Sequence, residues 1–305
     1  DIKTKIKDSL GLQRLTNNFA ILYSWQGKYD KALENFFEGL DYAKSMFDSS
    51  LIAHYLHNIA SAYSILGDYD KSIDYYLKSS EIDEKLEDYQ SLAETNYNLG
   101  IAFLELNDTK NALKRFEKAY IMAEKTKNKN IAYHSLISIG TICILSKKIK
   151  EAEDYLEMAF NYIEDTTDYV KHVEHCLIYA DLLNEQGRFS EAQKNLNKCL
   201  KYQLSKISPL LLAKLYYSLY RSYQSSGNYK KALESYKNYT ELNDSLKITE
   251  SKKLAEELEV KYRTKQKEQE NKVLQIEKER KQHTICTIFC LLYICCNRDN
   301  PFRSL

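Results

Sequence analysis

The sequence predicts an all-α fold, an elongated array of helix pairs, on three observations. One block of residues recurs along the chain with a period of 40. Within each block the apolar positions lie three and four apart, the spacing of one face of a helix. Proline and glycine number only 2 and 8 in 305 residues, which leaves helices joined by tight turns. With 44% apolar and 29% charged residues, a sizeable core can form. In an array, each unit buries its apolar face against its neighbours.

The turn between the two helices of a block comes first. "GKYDKALENFF" from Gly27 returns as "GDYDKSIDYYL" from Gly67 and as "GNYKKALESYK" from Gly227. The turn column reads Gly27, Gly67, Asn107, Lys147, Gly187 and Gly227. Glycine there ends a helix in the left-handed conformation, and asparagine imitates it. Lysine does so only at a cost, so the fourth turn is expected to be distorted.

The helix after the turn, helix B, carries a small residue five positions on: Ala32, Ser72, Ala112, Ala152, Ala192 and Ala232. Nine positions on stand Phe36, Tyr76, Phe116, Leu156, Leu196 and Tyr236. The helix before the turn, helix A, has its own small column of Ala20, Ala60, Gly100, Gly140, Ala180 and, as an exception, Tyr220. Small residues at a crossing let two helices approach, and the large neighbours fill the space beside them. Each helix A is expected to start after an N-cap: Asp8, Asp48, Asp88, Asn128, Asp168 and Ser208, the last followed by Pro209 at the first helical position.

"NLGIAF" (98–103), "GKYDKAL" (27–33) and "FEKAY" (116–120) resemble the tetratricopeptide repeat family in its 40-residue form. The resemblance implies an α-solenoid of six repeats over 13–246, a protein-binding role and no catalysis. Residues 1–12 read as the end of a partial repeat, because "DIKTKIKDS" aligns with "DYAKSMFDS" from Asp41. On that alignment the chain is expected to be a fragment. The fourth repeat departs most, with Cys143, Lys147 and Ile149 at aromatic or glycine positions.

Beyond the repeats, 247–283 is charged and helix-favouring but lacks a continuous heptad seam. It is expected to form a connecting helix or a weak coiled coil, with self-association as one use. "TICTIFCLLYICC" (284–296) is uncharged, and 297–305 is a short tail. Thirteen residues fall short of the ~20 a membrane span needs. Similar arrays in bacteria run through a charged helix into a membrane helix and a signalling module. The resemblance therefore implies a truncated membrane anchor, with the repeats on the periplasmic or cytoplasmic side. An unanchored soluble chain is the alternative.

The net charge of +1, from 44 basic and 43 acidic residues, offers no field for nucleic acid. The seven cysteines imply no disulfide framework: four crowd into the apolar tail, and Cys143, Cys176 and Cys199 are isolated. His54 with His57, and His172 with His175, each supply two residues three apart, with no further ligand placed to complete a metal set. No phosphate loop, nucleophile elbow or zinc-protease motif occurs, so no enzyme and no cofactor are expected. A peptide clamp for acidic C-termini needs basic residues along helix A, and the corresponding positions hold Asn17, His57, Tyr97, Ile137 and Leu177, so a clamp is not expected.

In a stacked array helix A lines the concave side. The expected partner-binding surface is Asn17, Ile21, Ser24, His57, Ser61, Tyr97, Ile101, Leu104, Ile137, Thr141 and Ile144. Its apolar and aromatic middle suits a peptide or a partner helix, although the isoleucines also fit simple packing between repeats. The expected function is a protein- or peptide-binding scaffold, the sensing part of a membrane-linked bacterial signalling protein. A soluble adaptor and a quorum-peptide receptor are the alternatives.

Overall fold

The computed structural model describes residues 9–163, 168–201 and 207–244. The expected tail elements at 247–283 and 284–296, the partial-repeat residues 1–8 and the cap Asp8 lie outside them. The described residues are helices and short turns, with no strand among them. The A helices are α1 (Ser9–Trp25), α3 (Ser49–Ile65), α5 (Tyr89–Glu105), α7 (Lys129–Leu145), α9 (Tyr169–Glu185) and α11 (Pro209–Ser225). The B helices are α2 (Tyr29–Ser45), α4 (Tyr69–Leu86), α6 (Thr109–Thr126), α8 (Ile149–Phe160), α10 (Phe189–Cys199) and α12 (229–244). Each helix packs on the next in the chain, and from α3 onward each A helix also touches the A helix one repeat away. This is an all-α solenoid.

The helix starts follow from side-chain caps. Asp48, Asp88, Asn128, Asp168 and Ser208 accept hydrogen bonds from the backbone N–H groups of Leu51, Ser91, Ile131, Lys171 and Leu211 at 3.0, 3.1, 3.1, 3.2 and 3.3 Å. Each satisfies a donor that the first helical turn leaves open.

All six A-to-B turns keep a left-handed residue, including Asn107 and Lys147, both at φ 60°. The distortion expected at Lys147 does not occur. Lys147 N–H donates to Ile144 C=O at 3.0 Å and Lys148 N–H to Cys143 C=O at 2.9 Å. The corresponding bonds at Gly27 and Lys28 measure 3.0 and 2.8 Å. The packed helices on either side over-determine the turn, and Lys147 pays the conformational cost. Its ammonium also pairs with Glu185, one repeat on.

Both small columns are buried. Ala32, Ser72, Ala112, Ala152 and Ala192 are fully enclosed. At Gly100 an added Cβ would lie 2.6 Å from the Phe116 ring, and at Gly140 it would lie 2.9 Å from Leu156. These helices therefore approach as closely as glycine permits. Where Tyr220 replaces the small residue, its ring meets Tyr236 at 5.0 Å between centroids, and Tyr236 is 42% exposed. The aromatic fills the gap that its partner occupies in earlier repeats. One departure was not legible in the sequence: α8 and α10 have only 12 and 11 residues, against 17 or 18 in α2, α4 and α6.

Candidate ligand groove

Helix A residues outside the small column and its large neighbours form one face of the array. Ten of the eleven expected binding residues are half-buried there: Asn17, Ile21, Ser24, His57, Ser61, Tyr97, Ile101, Leu104, Ile137 and Thr141. Ile144 is buried, inside the cluster that Phe116, Ile139 and Leu156 build. Tyr97, Ile101, Leu104 and Ile137 pack on that same cluster with one side and leave the other open. Several polar members are occupied locally: Ser24 Oγ donates to Ala20 C=O at 3.0 Å and Thr141 Oγ1 to Ile137 C=O at 2.8 Å. Asn17 Oδ1 is buried with no hydrogen-bond partner.

Two cavities open along this face. The larger, ≈ 500 Å³, runs across α7, α9 and α11 and takes in Ile137, Leu177, Ile178, Leu211 and Tyr217 on its walls. Charged residues rim it: Glu174 and Lys214, and Asp181 with Arg221, which are joined by an ion pair of 3.1 Å. Burial raises the Asp181 carboxyl, and Arg221 offsets part of that rise. Burial likewise raises Glu174, against the pull of Lys214. An apolar floor with opposite charges at its margin can hold an extended peptide or one face of a helix.

The smaller cavity, ≈ 410 Å³, lies between α3, the end of α4 and the start of α5. His54, His57, Asp83, Asp88 and Glu94 line it. His57 Nδ1 is 2.9 Å from Thr95 Oγ1, and its ring meets Tyr76 edge-on at 5.2 Å. The second histidine pair is structural: His175 is 8% exposed, and its Nε2 hydrogen-bonds Leu156 C=O at 2.9 Å. Among the described residues no group of three His, Cys, Asp or Glu could hold a metal ion.

Of the expected site residues, His57 lines the smaller cavity and Ile137 the larger. Leu177, Tyr217, Asp181 and Arg221 were not among them. The signal was available: Ile137, Leu177 and Tyr217 form one column of period 40, and Thr141, Asp181 and Arg221 another.

Stacked helix pairs with a continuous A-helix face define an α-solenoid. Residues 51–125 match the family model described as Tetratricopeptide repeat, and helix pairs of the same 40-residue period continue on both sides of that match. No curated protein matches it. Among solved structures it is similar to a signal-transduction ATPase with a tetratricopeptide repeat sensor, PH0952 from Pyrococcus horikoshii. There the TM-score is 0.68 at 16% identity, over 82% of this chain and 39% of that one. It is also similar to the apo form of RapI, with a TM-score of 0.63 at 14% identity, over 80% and 87% of the two chains. A Rap protein complexed with competence and sporulation factor gives 0.54 at 17%, over 79% and 66%. At these identities the likeness is one of fold. No helix among the described residues is long and apolar enough to cross a membrane.

Proposed function

We propose that the chain is a protein- or peptide-binding scaffold whose ligand lies along the A-helix face, and that it serves as the sensing part of a bacterial signalling protein. The larger cavity carries this reading, because three successive A helices contribute Ile137, Leu177 and Tyr217 to one apolar floor. A ligand spanning it would bridge repeats four, five and six and so sense their relative placement. The likeness to a tetratricopeptide repeat sensor supports this role. A receptor for a short signalling peptide is the second reading, favoured by the likeness to the Rap complex. Membrane linkage through 284–296 belongs to the first reading and is proposed from the sequence alone.

The test selects peptides from a displayed library on the purified full chain, then measures their affinity for Leu177→Asp and Tyr217→Ala. The expected result is a loss of about tenfold or more in both variants, with the melting temperature kept within a few degrees. Equal affinity for wild type and both variants overturns the groove assignment.

A further inference from the structure

Repeat five brings together two cysteines that stand apart in the sequence. Cys176 lies on α9, and Cys199 ends α10. In the 40-residue register, Cys176 shares a column with Leu56, Asn96 and Leu136, and Cys199 shares one with Gly39, Ser79, Ala119 and Ala159. The two columns face each other where helix A crosses helix B: in repeat four, Leu136 and Ala159 belong to one buried cluster. The second column is small in the first four repeats, so the helices approach closely there. In repeat five both places hold a thiol. Cys199 is fully enclosed, Cys176 is half-buried, and both belong to the packing around Val173, Ala180 and Leu196.

The two thiols are in contact. The Cys199 S–H donates a hydrogen bond to Cys176 Sγ, and neither sulfur is in a disulfide. That bond lowers the Cys176 thiol, burial acts against it, and Lys198 adds to the lowering. The same bond, and then burial, raise Cys199. The sulfurs therefore differ in role. Cys176 is the one that solvent reaches and the one that more readily becomes a thiolate, the nucleophile of thiol–disulfide exchange. Cys199 keeps its proton and stands behind it. Cys143, the other cysteine among the described residues, is buried in a separate cluster with Phe116 and Leu156.

We propose that Cys176 and Cys199 are a redox pair that closes into a disulfide by exchange with a low-molecular-weight disulfide such as oxidised glutathione. The Cys176 thiolate attacks one sulfur of that disulfide. Its S–S bond breaks, one small thiolate leaves and takes up the Cys176 proton, and a mixed disulfide remains on Cys176. Cys199 then gives up its proton and attacks Cys176 Sγ, expelling the second small thiol, which takes that proton. Two protein thiols are oxidised, and one small disulfide is reduced to two thiols. A disulfide requires the two Cα atoms within about 7 Å, a separation that a crossing lined by small residues allows. The bond fastens the last turn of α10 to the middle of α9, beside Leu177 of the groove. The pair does not rest on the groove reading, since it concerns only the contact between these two helices.

The experiment equilibrates the full chain with oxidised and reduced glutathione at varied ratios, blocks the remaining thiols with iodoacetamide, and maps the tryptic peptides without reduction. The expected product joins peptide 172–188 to peptide 199–201, and it disappears when the sample is reduced before blocking. The Cys199→Ser chain should stop at the mixed disulfide and carry glutathione on Cys176. The Cys176→Ser chain should leave Cys199 unmodified. Serine fits the Cys199 column, where Ser79 is fully enclosed, and a retained helical circular-dichroism spectrum separates lost chemistry from lost fold. No joined product at the most oxidising ratio overturns the proposal, as does a product that links Cys176 to another cysteine in equal yield. A Cys199→Ser chain without glutathione on Cys176 overturns the assignment of Cys176 as the attacking thiol.

Discussion

Lys147 shows what one residue can be made to do. It holds φ 60° where the other turns use glycine or asparagine, and its six-fold repeated setting leaves it no other choice. Lys147→Gly should stabilise the chain by about 1 kcal/mol, because glycine reaches that region freely. The lost pair with Glu185 takes back little, since exposed ion pairs contribute at most about 1 kcal/mol. A fall in urea midpoint for Lys147→Gly would refute this. Asp83 and His57 make a second residue-scale case. Burial first, then Asp88, pushes the Asp83 carboxyl up to about 6, so the folded state holds that proton more tightly than the unfolded chain does. Its contribution to stability therefore improves as pH falls through 6 and levels off below about 4. His57, lowered to about 4, runs the other way: its contribution is full above 6.5 and is lost as pH falls toward 4. Each shift corresponds to about 3 kcal/mol, and the two largely cancel. The melting temperature of Asp83→Asn minus that of wild type should be positive at pH 7 and shrink to zero near pH 4. A difference that does not vary with pH would remove the case for a perturbed Asp83.

At the scale of the element, the small column governs how closely helix A and helix B approach. Ala112 and Ala192 are fully enclosed, so replacing either by Phe forces the crossing apart and should cost about 1–3 kcal/mol. The caps make a separate contribution. Asp168→Ala should cost about 1 kcal/mol, because Lys171 N–H loses its acceptor at the start of α9. Chemical denaturation of the single variants would measure both, and an unchanged midpoint for Ala112→Phe would show that the helix register is wrong. These features were legible because each junction rests on a local preference: a cap, a left-handed turn, a small residue at fixed spacing. The ends of α8 at Phe160 and of α10 at Cys199 were not, since no cap or glycine in the sequence marks either position. Whether a last helical turn forms depends on what it packs against, and that is not a local property.

For the whole molecule, the array should give an almost purely helical circular-dichroism spectrum, with no substantial strand signal. On the membrane reading proposed from the sequence, the tail would set where the chain resides. A helix over 284–296 would rise about 20 Å, short of a ~30 Å hydrocarbon core, so it would have to thin the bilayer or borrow its flanks. The full chain is expected to partition with membranes or to aggregate, whereas a chain ending at Lys281 stays in the supernatant and keeps its helices. Detergent-free fractionation of the two is the measurement, and a full chain that stays monomeric in the supernatant would favour the adaptor reading.

By itself the sequence determined the helix pairs, their period, their caps and the face that the A helices present, because each depends on residues at fixed separations within one repeat. It also contained the columns that carry Leu177, Tyr217, Asp181 and Arg221 to the groove. Only the tertiary structure decided where that face opens. Ile144 and Ile137 lie seven residues apart on one helix face, yet Ile144 closes into the core while Ile137 lines a cavity. Asp83 likewise reads as one more acidic residue on a B helix, and becomes a buried carboxyl, hydrogen-bonded by Ser79, only when α3 and α5 close around it. Cavities and buried carboxyls arise from the small rotation between successive repeats, which many side chains set together and no column of the sequence specifies.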